Sequence, residues 1–488
     1  MLKTIITREF LNNILNLRFM IGLVLCIIVT FACIMILAHD YQQELEDYNI
    51  RVNLQDEFLS NYAYRDGLFR MIPRQKPPER FRPLIIGISG DENVESFDDN
   101  SLPILFPPFD FLFIVTIIMS LLALLFSYDA ITGERQSGTL RLMISNSISR
   151  TTILFGKFIG GAASLLIPFI LSLLVGGLYI SINPSIQWGG SAWAEFGLLT
   201  AASITFITLF YLLGLMISTF TRYSSTSILN CLFLWTLLIL VIPNLSPYIS
   251  AQLCPIPSIK ETERKNLEIE RLSLKVYAEQ MNEMKKKLKS RYGELWSEFE
   301  SMEFGGRLKD YGRGLYGEAA LQRAATDPQF KAMMDALSEE LGKVREKFSS
   351  IRDQEDELWD DFHKKAAVQT ILAKNLACIS PYANFIYVAR DLTGTGLRSM
   401  EYFGQVKGEH SGRFWPYVDK KVQDAQKNDP KFTWASFLDL GDYPRFVFKE
   451  EALKDKLDEV LPYWGILVLF NVVFFAAAFA GFMRYDVR

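Results

Sequence analysis

Few side chains in this 488-residue sequence have the types and spacing that enzyme chemistry requires. Its three histidines, His39, His363 and His410, lie in unrelated contexts and form no H-E-x-x-H pair of the kind that holds zinc. The sequence contains no G-x-x-x-x-G-K-[ST] loop, which argues against ATP binding to this chain in the P-loop manner. The carboxylate-rich run at 354–363 keeps a heptad of apolar residues, so we interpret it as the solvated face of a helix. The sequence therefore predicts a chain without catalytic residues, a bound cofactor or a metal.

The five cysteines show no C-x-x-C spacing, so they predict no metal site. Cys26, Cys33 and Cys231 fall inside apolar blocks, where a cysteine behaves as a small buried hydrophobe. Cys254 and Cys378 fall in polar sequence on either side of a predicted helical hairpin, which would bring both to its base. An exported hairpin permits a disulfide between them, because exported compartments are oxidising. Two unrelated thiols are the alternative.

The elements that surround these residues are long apolar helices. Hydrophobic residues make up 50% of the chain and charged residues 22%, but the two kinds are segregated along it. Blocks of about 20 apolar residues can cross the roughly 30 Å of hydrocarbon in a bilayer. We therefore predict an all-α integral membrane protein. Its six transmembrane helices are expected at 19–38, 109–127, 153–180, 193–220, 227–249 and 462–483.

Basic residues in the short flanks of these spans set the expected orientation. They gather near the N-terminus, in the loop at 128–152, at Arg222 and after the last span, which places both termini in the cytoplasm. The segments 39–106 and 250–461 are then exterior. Residues 1–18 have an apolar face and predict an amphipathic helix in the membrane interface. A net charge of −4 gives no reason to expect nucleic acid as a partner, whereas membrane lipid is expected.

Two isolated polar residues, Asn230 and Asn471, fall within the predicted spans. Asparagine in a transmembrane helix bonds across to a neighbouring helix or lines a transport path. Interhelical bonding is the simpler interpretation, and a place on a pathway is the alternative.

The larger exterior segment is expected to begin with a helical hairpin at about 258–377. Apolar residues recur at heptad spacing on both arms, which predicts an antiparallel coiled coil. Asp327 and Pro328 are a start signal for the second arm, and glycines between 305 and 317 predict the tip. The remainder, 378–461, predicts a small mixed subdomain that opens with a short amphipathic helix along the membrane. The heptad residues are Leu267, Leu274, Met281, Leu288 and Leu295, with Tyr277, Met284, Tyr292 and Phe299, on the first arm and Phe330, Met334, Leu337, Leu341, Val344, Phe348, Ile351, Leu358 and Phe362 on the second.

The loop between the second and third spans carries the most informative motif. A D-x-x-x-x-E-R-x-x-G-T-L segment is followed by an S-x-S-R turn and by a span that contains G-K-x-x-G. The residues of the motif are Asp129, Glu134, Arg135, Gly138, Thr139, Leu140, Ser147, Ser149, Arg150, Gly156, Lys157 and Gly160. Here the chain resembles the permeases of the type-two export class of ATP-binding-cassette transporters, particularly those related to copper-enzyme-maturation and gliding permeases. The ending FMRYDVR is also similar to that family, whereas the large exterior insertion departs from its minimal pattern.

The resemblance implies a non-catalytic permease in the bacterial cytoplasmic (inner) membrane. Separate cytosolic ATPase subunits would bind ATP and Mg, and a second permease, identical or paralogous, would complete the transporter. The loop would couple hydrolysis to the spans through a short helix around 133–143, which presents Leu140, Leu142 and Met143 to a groove in the ATPase. The expected coupling residues are Asp129, Gly133, Glu134, Arg135, Gly138, Thr139, Leu140, Leu142 and Met143.

Two mechanisms are compatible with this pattern. In one, substrate crosses the membrane between two permeases. In the other, the spans relay force to the exterior hairpin, which acts on an exterior protein partner. A membrane-anchored coiled-coil scaffold or adhesin is the alternative from another class, and a co-purifying ATPase would distinguish the two classes.

Overall fold

The computed structural model describes residues 2–61, 76–87, 109–145, 148–301, 318–428 and 437–484. Within these ranges every regular element is a helix, and six helices are long and apolar enough to cross a membrane. The predicted all-α membrane protein with six spanning helices is therefore confirmed. The chain divides into two compact units, Met1–Asn244 with Ala377–Arg488 and Leu245–Leu376.

The first unit contains the amphipathic N-terminal helix, the spans and the loop between the second and third spans. Its first elements are α1 (Leu2–Ile14), α2 (Leu17–Asn61), α3 (the consecutive segments Phe111–Phe113, Ile114–Met119 and Ser120–Ser127), α4 (Thr132–Gln136) and α5 (Thr139–Ser145). The next spans are α6 (Arg150–Ile182), α7 (Gly190–Phe220) and α8 (Ser224–Thr236, Leu237–Val241 and Ile242–Leu253), of which α8 continues into the second unit. The helices of the second unit are α9 (Ile259–Tyr292), α10 (Glu294–Ser301), α11 (Glu318–Thr326) and α12 (Pro328–Ala377). The first unit ends with α13 (Pro381–Thr393), α14 (Leu397–Asn428) and α15 (Leu453–Met483).

Helix α7 forms the centre of the first unit. In its most apolar stretch 67% of the residues are buried, compared with 11% for α8 and 17% for α15. The outer faces of α8 and α15 expose large apolar side chains such as Phe233 and Leu469. Such faces are compatible with lipid or with another membrane subunit, because neither demands polar groups.

The predicted helix along the membrane, α13, is instead part of the core, so the prediction of a surface helix is wrong. Phe385, Val388 and Leu392 are fully buried. The Phe385 ring stacks on Phe206 of α7 with 4.7 Å between the ring centroids. The amphipathic pattern was correct, but α7 and α15 cover the apolar face that we assigned to the membrane.

The helix that contains the first predicted span, α2, is longer than that span, because it continues beyond residue 38 to Asn61. Near its end, Leu59 packs against Phe414 and Val418 of α14. The segment 378–461 was expected to be partly irregular, but it contains the 32-residue helix α14. This helix packs against the end of α2.

In the second unit, α9 and α12 run antiparallel along each other. Lys287 pairs with Glu340 at 2.6 Å, and Lys347 donates to Gln280 at 2.9 Å. The Asp327 carboxylate accepts from the backbone N–H of Gln329 at 2.9 Å, as expected of an N-cap. The glycine-rich tip lies outside the described residues, and an exterior coiled coil stays a prediction.

The heptad assigned to the first arm is correct in one half and wrong in the other. Met281 and Leu288 are buried, whereas Leu267 and Leu274 are 62% and 60% exposed. A straight α-helix turns about 20° per heptad relative to a strict seven-residue repeat, so positions two heptads away leave the contact face. In that half the buried residues are Thr262 and Ser273.

Candidate functional site

The motif loop is built on a close contact between α1 and α6. A Cβ atom on Gly156 would lie 2.6 Å from Ile5, and one on Gly160 would lie 2.9 Å from the Ile6 carbonyl oxygen. Only glycine allows two helix backbones to approach this closely. The G-K-x-x-G sequence therefore forms the surface on which α1 rests.

Between these glycines, Lys157 is 2% exposed and forms two ion pairs. Its Nζ atom lies 2.7 Å from Glu134 Oε1 on α4 and 3.2 Å from Glu9 Oε2 on α1. The Tyr211 hydroxyl of α7 donates to the Lys157 carbonyl at 3.1 Å. A buried charge requires such partners, since an unpaired one costs several kcal/mol. One lysine therefore ties α1, α4 and α6 together.

The second attachment of the loop is to the end of α7. Arg135 donates to the carbonyl oxygens of Thr221 at 2.7 Å and Thr219 at 3.3 Å, which lie where the helix ends. A cation at a helix C-terminus is favourable, because the helix dipole and the unpaired carbonyls are negative there. The Ser218 hydroxyl accepts from the backbone N–H groups of Ile131 and Thr132 at 3.0 and 3.1 Å. These hydrogen bonds attach the loop to the C-terminal end of α7.

Gly138 separates α4 from α5 with a φ of 77°, a conformation that favours glycine. The turn directs Leu140 inward, where it is fully buried beside Ile153 and Leu212. Leu142 on the same short helix is 64% exposed. The prediction that Leu140 faces a partner is therefore wrong, whereas Leu142 is accessible and Met143 is partly buried.

The other predicted loop residues have local roles. The Gly133 backbone N–H donates to the Asp129 carbonyl at 2.8 Å in the first turn of α4, which begins at Thr132. The Thr139 hydroxyl lies 2.9 Å from that of Ser137 across the turn. Ser147 and the last four residues of the FMRYDVR ending lie outside the described residues.

The remaining predicted site residues lie apart from the loop. Asn471 of α15 donates to the Thr205 carbonyl of α7 at 3.0 Å, which is the interhelical bond that was expected. Asn230 is exposed on α8. Cys254 and Cys378 belong to different compact units, and the disulfide between them stays a prediction.

Sequence reasoning missed the contribution of α1 and of the α7–α8 turn. Glu9 was part of an amphipathic helix, where a carboxylate is expected to face water. Its pairing with Lys157, 148 residues later, has no local signal in the sequence. The one available signal was the lysine inside an apolar span, because a charge there needs a partner.

A second charged cluster in the first unit also went unpredicted. Glu195 of α7 is fully buried and lies 3.1 Å from Lys456 of α15 and 3.6 Å from Arg80. Glu450 contacts the same two cations, so the four side chains alternate in sign. A cavity of about 210 Å³ adjoins the cluster. Its charged lining residues include Lys76, Glu79, Asp391, Arg398, Glu451 and Lys456.

The fold and the loop together define a helical membrane subunit with an anchored, partly exposed loop helix, and comparison with known proteins agrees. Residues 3–299 match the family described as ABC-2 family transporter protein. This match covers more than half of the chain, so the chain belongs to that family. The resemblance inferred from the loop motif is confirmed.

Two curated relatives are similar to part of the chain. The probable ABC transporter permease protein NosY of Stutzerimonas stutzeri is 31% identical over 129 residues, which is 26% of this chain and 46% of that protein. The protein of the same name from Pseudomonas aeruginosa is 30% identical over 122 residues, which is 25% of this chain and 36% of that protein. The chain thus spans less than half the length of either relative.

Proposed function

We propose that this chain is the permease subunit of an ATP-binding-cassette exporter and that the α4–α5 loop couples it to an ATPase. One observation carries the proposal: Lys157 and Arg135 anchor the loop to α1, α6 and α7, while Leu142 stays exposed. A loop with an exposed apolar residue and rigid attachment to three helices transmits displacement from a docked subunit into the spans.

The partners follow from this role. Cytosolic ATPase subunits bind ATP and Mg and dock on the side of the membrane where α4 and α5 lie. A second permease, identical or paralogous, packs against exposed apolar faces such as that of α8, and membrane lipid covers the rest. Both termini are then cytoplasmic in the bacterial inner membrane, and the segment 250–461 is exterior. Basic residues in the short loops support this orientation.

Two modes of action fit this assembly. In the first, substrate crosses between the two permeases. In the second, motion of α7 and α15 is relayed to the exterior helices, which act on a partner there. The helix pair α9–α12 supports the second mode. Its helices of 34 and 50 residues are far longer than a loop needs to be to join two spans.

The coupling role is tested by replacing Leu142, whose side chain is free of the core. We expect Leu142→Asp to lower the amount of ATPase that co-purifies with the tagged chain from native membranes by at least tenfold, equivalent to about 1.4 kcal/mol. Leu267→Asp is the matched control, because Leu267 is equally exposed (62% against 64%) and lies on α9. The ATPase is identified by mass spectrometry.

Undiminished recovery of the ATPase with Leu142→Asp contradicts the assignment of the loop. Failure of the unaltered chain to recover any ATPase favours the alternative, a membrane-anchored scaffold or adhesin. Leu140→Asp is unsuitable for this test, because the buried side chain supports the fold of the loop itself.

A further inference from the structure

The second unit contains an open groove of about 550 Å³ between α9 and α12. Each helix contributes four residues at the spacing i, i+3, i+4 and i+7, which places them on one face of that helix. The lining residues are Lys265, Glu268, Ile269 and Leu272 on α9 and Gln354, Glu357, Leu358 and Asp361 on α12. Two helix faces set side by side in this way form a valley that a third helix fits.

The floor of the groove is apolar and its edges are charged. Ile269, Leu272 and Leu358 form the floor, and Leu272 remains 49% exposed although it lies between two packed helices. Lys265 and Glu268 stand at one edge, and Glu357 and Asp361 stand at the other. An apolar valley with charged rims is the acceptor surface for the apolar stripe of an amphipathic helix.

The charge of the α12 edge indicates what kind of helix fits. Residues 353–361 include six carboxylates and no basic residue. Asp361 pairs with Lys365 at 2.6 Å, but within the described ranges Asp353, Asp356 and Glu357 form no ion pair. On the α9 edge, Lys265 is already paired with Glu261 at 3.0 Å. The groove is therefore lined by one carboxylate, Glu357, that has no ion pair among the described residues, and Asp353 and Asp356 lie close to it in sequence.

We propose that the α9–α12 groove binds an amphipathic helix of a partner protein, one with a leucine-type apolar stripe flanked by lysine or arginine. The apolar stripe would cover Ile269, Leu272 and Leu358, and its basic flanks would neutralise Glu357 and its neighbours. This proposal stands independently of the direction of transport and of the coupling loop.

The test uses the full-length chain in phosphatidylcholine nanodiscs and two fluorescent peptides of three heptads each. Both peptides carry leucine at positions a and d, and their flanking e and g positions are lysine in one and glutamate in the other. Fluorescence anisotropy is expected to show saturable binding of the lysine peptide, above the background of empty nanodiscs, and at least tenfold weaker binding of the glutamate peptide.

Two substitutions on α9 distinguish binding in the groove from nonspecific hydrophobic binding of the peptide to the chain. Leu272→Ser is expected to weaken binding of the lysine peptide at least tenfold, equivalent to about 1.4 kcal/mol. Leu274→Ser is the matched control, because Leu274 is even more exposed (60% against 49%) but lies outside the groove, and it should bind as the unaltered chain does. Glu357→Gln with Asp361→Gln should weaken binding and reduce its dependence on salt. Circular dichroism and gel filtration verify that each variant keeps its helices.

Three results would overturn the proposal. They are absence of saturable binding, equal binding of both peptides, and equal effects of Leu272→Ser and Leu274→Ser. A photoreactive phenylalanine at position 272 that crosslinks to a second copy of the chain would also overturn it, since the groove would then be an interface between copies.

Discussion

Lys157 and Glu134 form an ion pair of 2.7 Å that joins a span to the loop preceding it. Both residues belong to the motif by which the family was inferred, the lysine to G-K-x-x-G and the glutamate to E-R-x-x-G-T-L. The two halves of the motif are thus a single structure, completed by Glu9 of α1.

Removing the charge of Lys157 should destabilise the protein. In Lys157→Met the carboxylates of Glu9 and Glu134 lose the buried cation that neutralises them. Breaking a buried ion pair lowers the free energy of unfolding by about 3–5 kcal/mol. The measurement is the thermal unfolding midpoint of the purified chain in detergent. Lys3→Met on the exposed part of α1 is the control and should leave the midpoint unchanged. Equal midpoints for both variants would show that Lys157 contributes nothing through its charge.

The glycines of α6 predict a contrast between two alanine variants. Gly160→Ala places a Cβ atom 2.9 Å from the Ile6 carbonyl and should displace α1, with loss of stability and faster proteolysis near the N-terminus. Gly197→Ala on α7 meets nothing within 4 Å. It should be neutral or stabilise by up to about 1 kcal/mol, because alanine favours a helix. A Gly160→Ala variant as stable as Gly197→Ala would contradict the close contact between α1 and α6.

Truncation of Leu140 should lower the stability of the protein far more than truncation of Leu142. Leu140→Ala leaves a cavity in the cluster with Ile153 and Leu212 and should cost about 2–5 kcal/mol of unfolding free energy. Leu142→Ala removes an exposed side chain and should change stability by no more than about 0.5 kcal/mol. Denaturation followed by tryptophan fluorescence compares the two. A large loss for Leu142→Ala alone would reverse the assignment of inward and outward faces.

The second charged cluster predicts energetic coupling between Glu195 and Lys456. Each single variant, Glu195→Gln or Lys456→Met, leaves a buried charge with a weakened set of partners, whereas the double variant removes both charges. The losses of stability should therefore be non-additive by about 0.5–3 kcal/mol in a double-mutant cycle. The pair Lys449→Met and Glu401→Gln, two exposed residues, serves as the control cycle. Additive effects at Glu195 and Lys456 would show that they do not interact.

His410 of α14 predicts a dependence of stability on pH. Burial between Phe414 and Phe446, with a smaller contribution from the charge of Arg413, lowers the pKa of His410 from its ordinary value of 6.5. The unfolded chain then binds the proton at a higher pH than the folded chain. Stability is therefore intact above about pH 6.5 and decreases as the pH falls through that value.

The measurement for His410 is the unfolding midpoint at several pH values above and below this point. His410→Gln should flatten the curve in this range, and His363→Gln, at an exposed position on α12, is the control. A curve for His410→Gln that matches that of the unaltered chain would exclude His410 as the source.

The spans and the loop motif were predictable because their signals are local. A block of apolar residues needs no knowledge of its neighbours, and neither does the glycine that reverses the chain at Gly138. The pairing of Glu9 with Lys157 and the burial of α13 depend on which helices meet, and sequence distance hides that information. The prediction that Leu267 and Leu274 are buried was wrong for a different reason. It extended a strict seven-residue repeat along a helix whose contact face rotates slightly with each heptad.

The contact of α1 with α6 has a consequence for the order in which the chain is made. Glu9 leaves the ribosome 148 residues before Lys157, the cation with which it pairs. At a synthesis rate of roughly 5–20 residues per second, this is a delay of about 7–30 s. During that time the chain contains no Lys157 with which Glu9 can pair, and α2 and α3 are made before this contact can form. Packing of α1 on α6 is thus a late step in the formation of the first unit, and the α4–α5 loop can reach its final form only after α6 has been made.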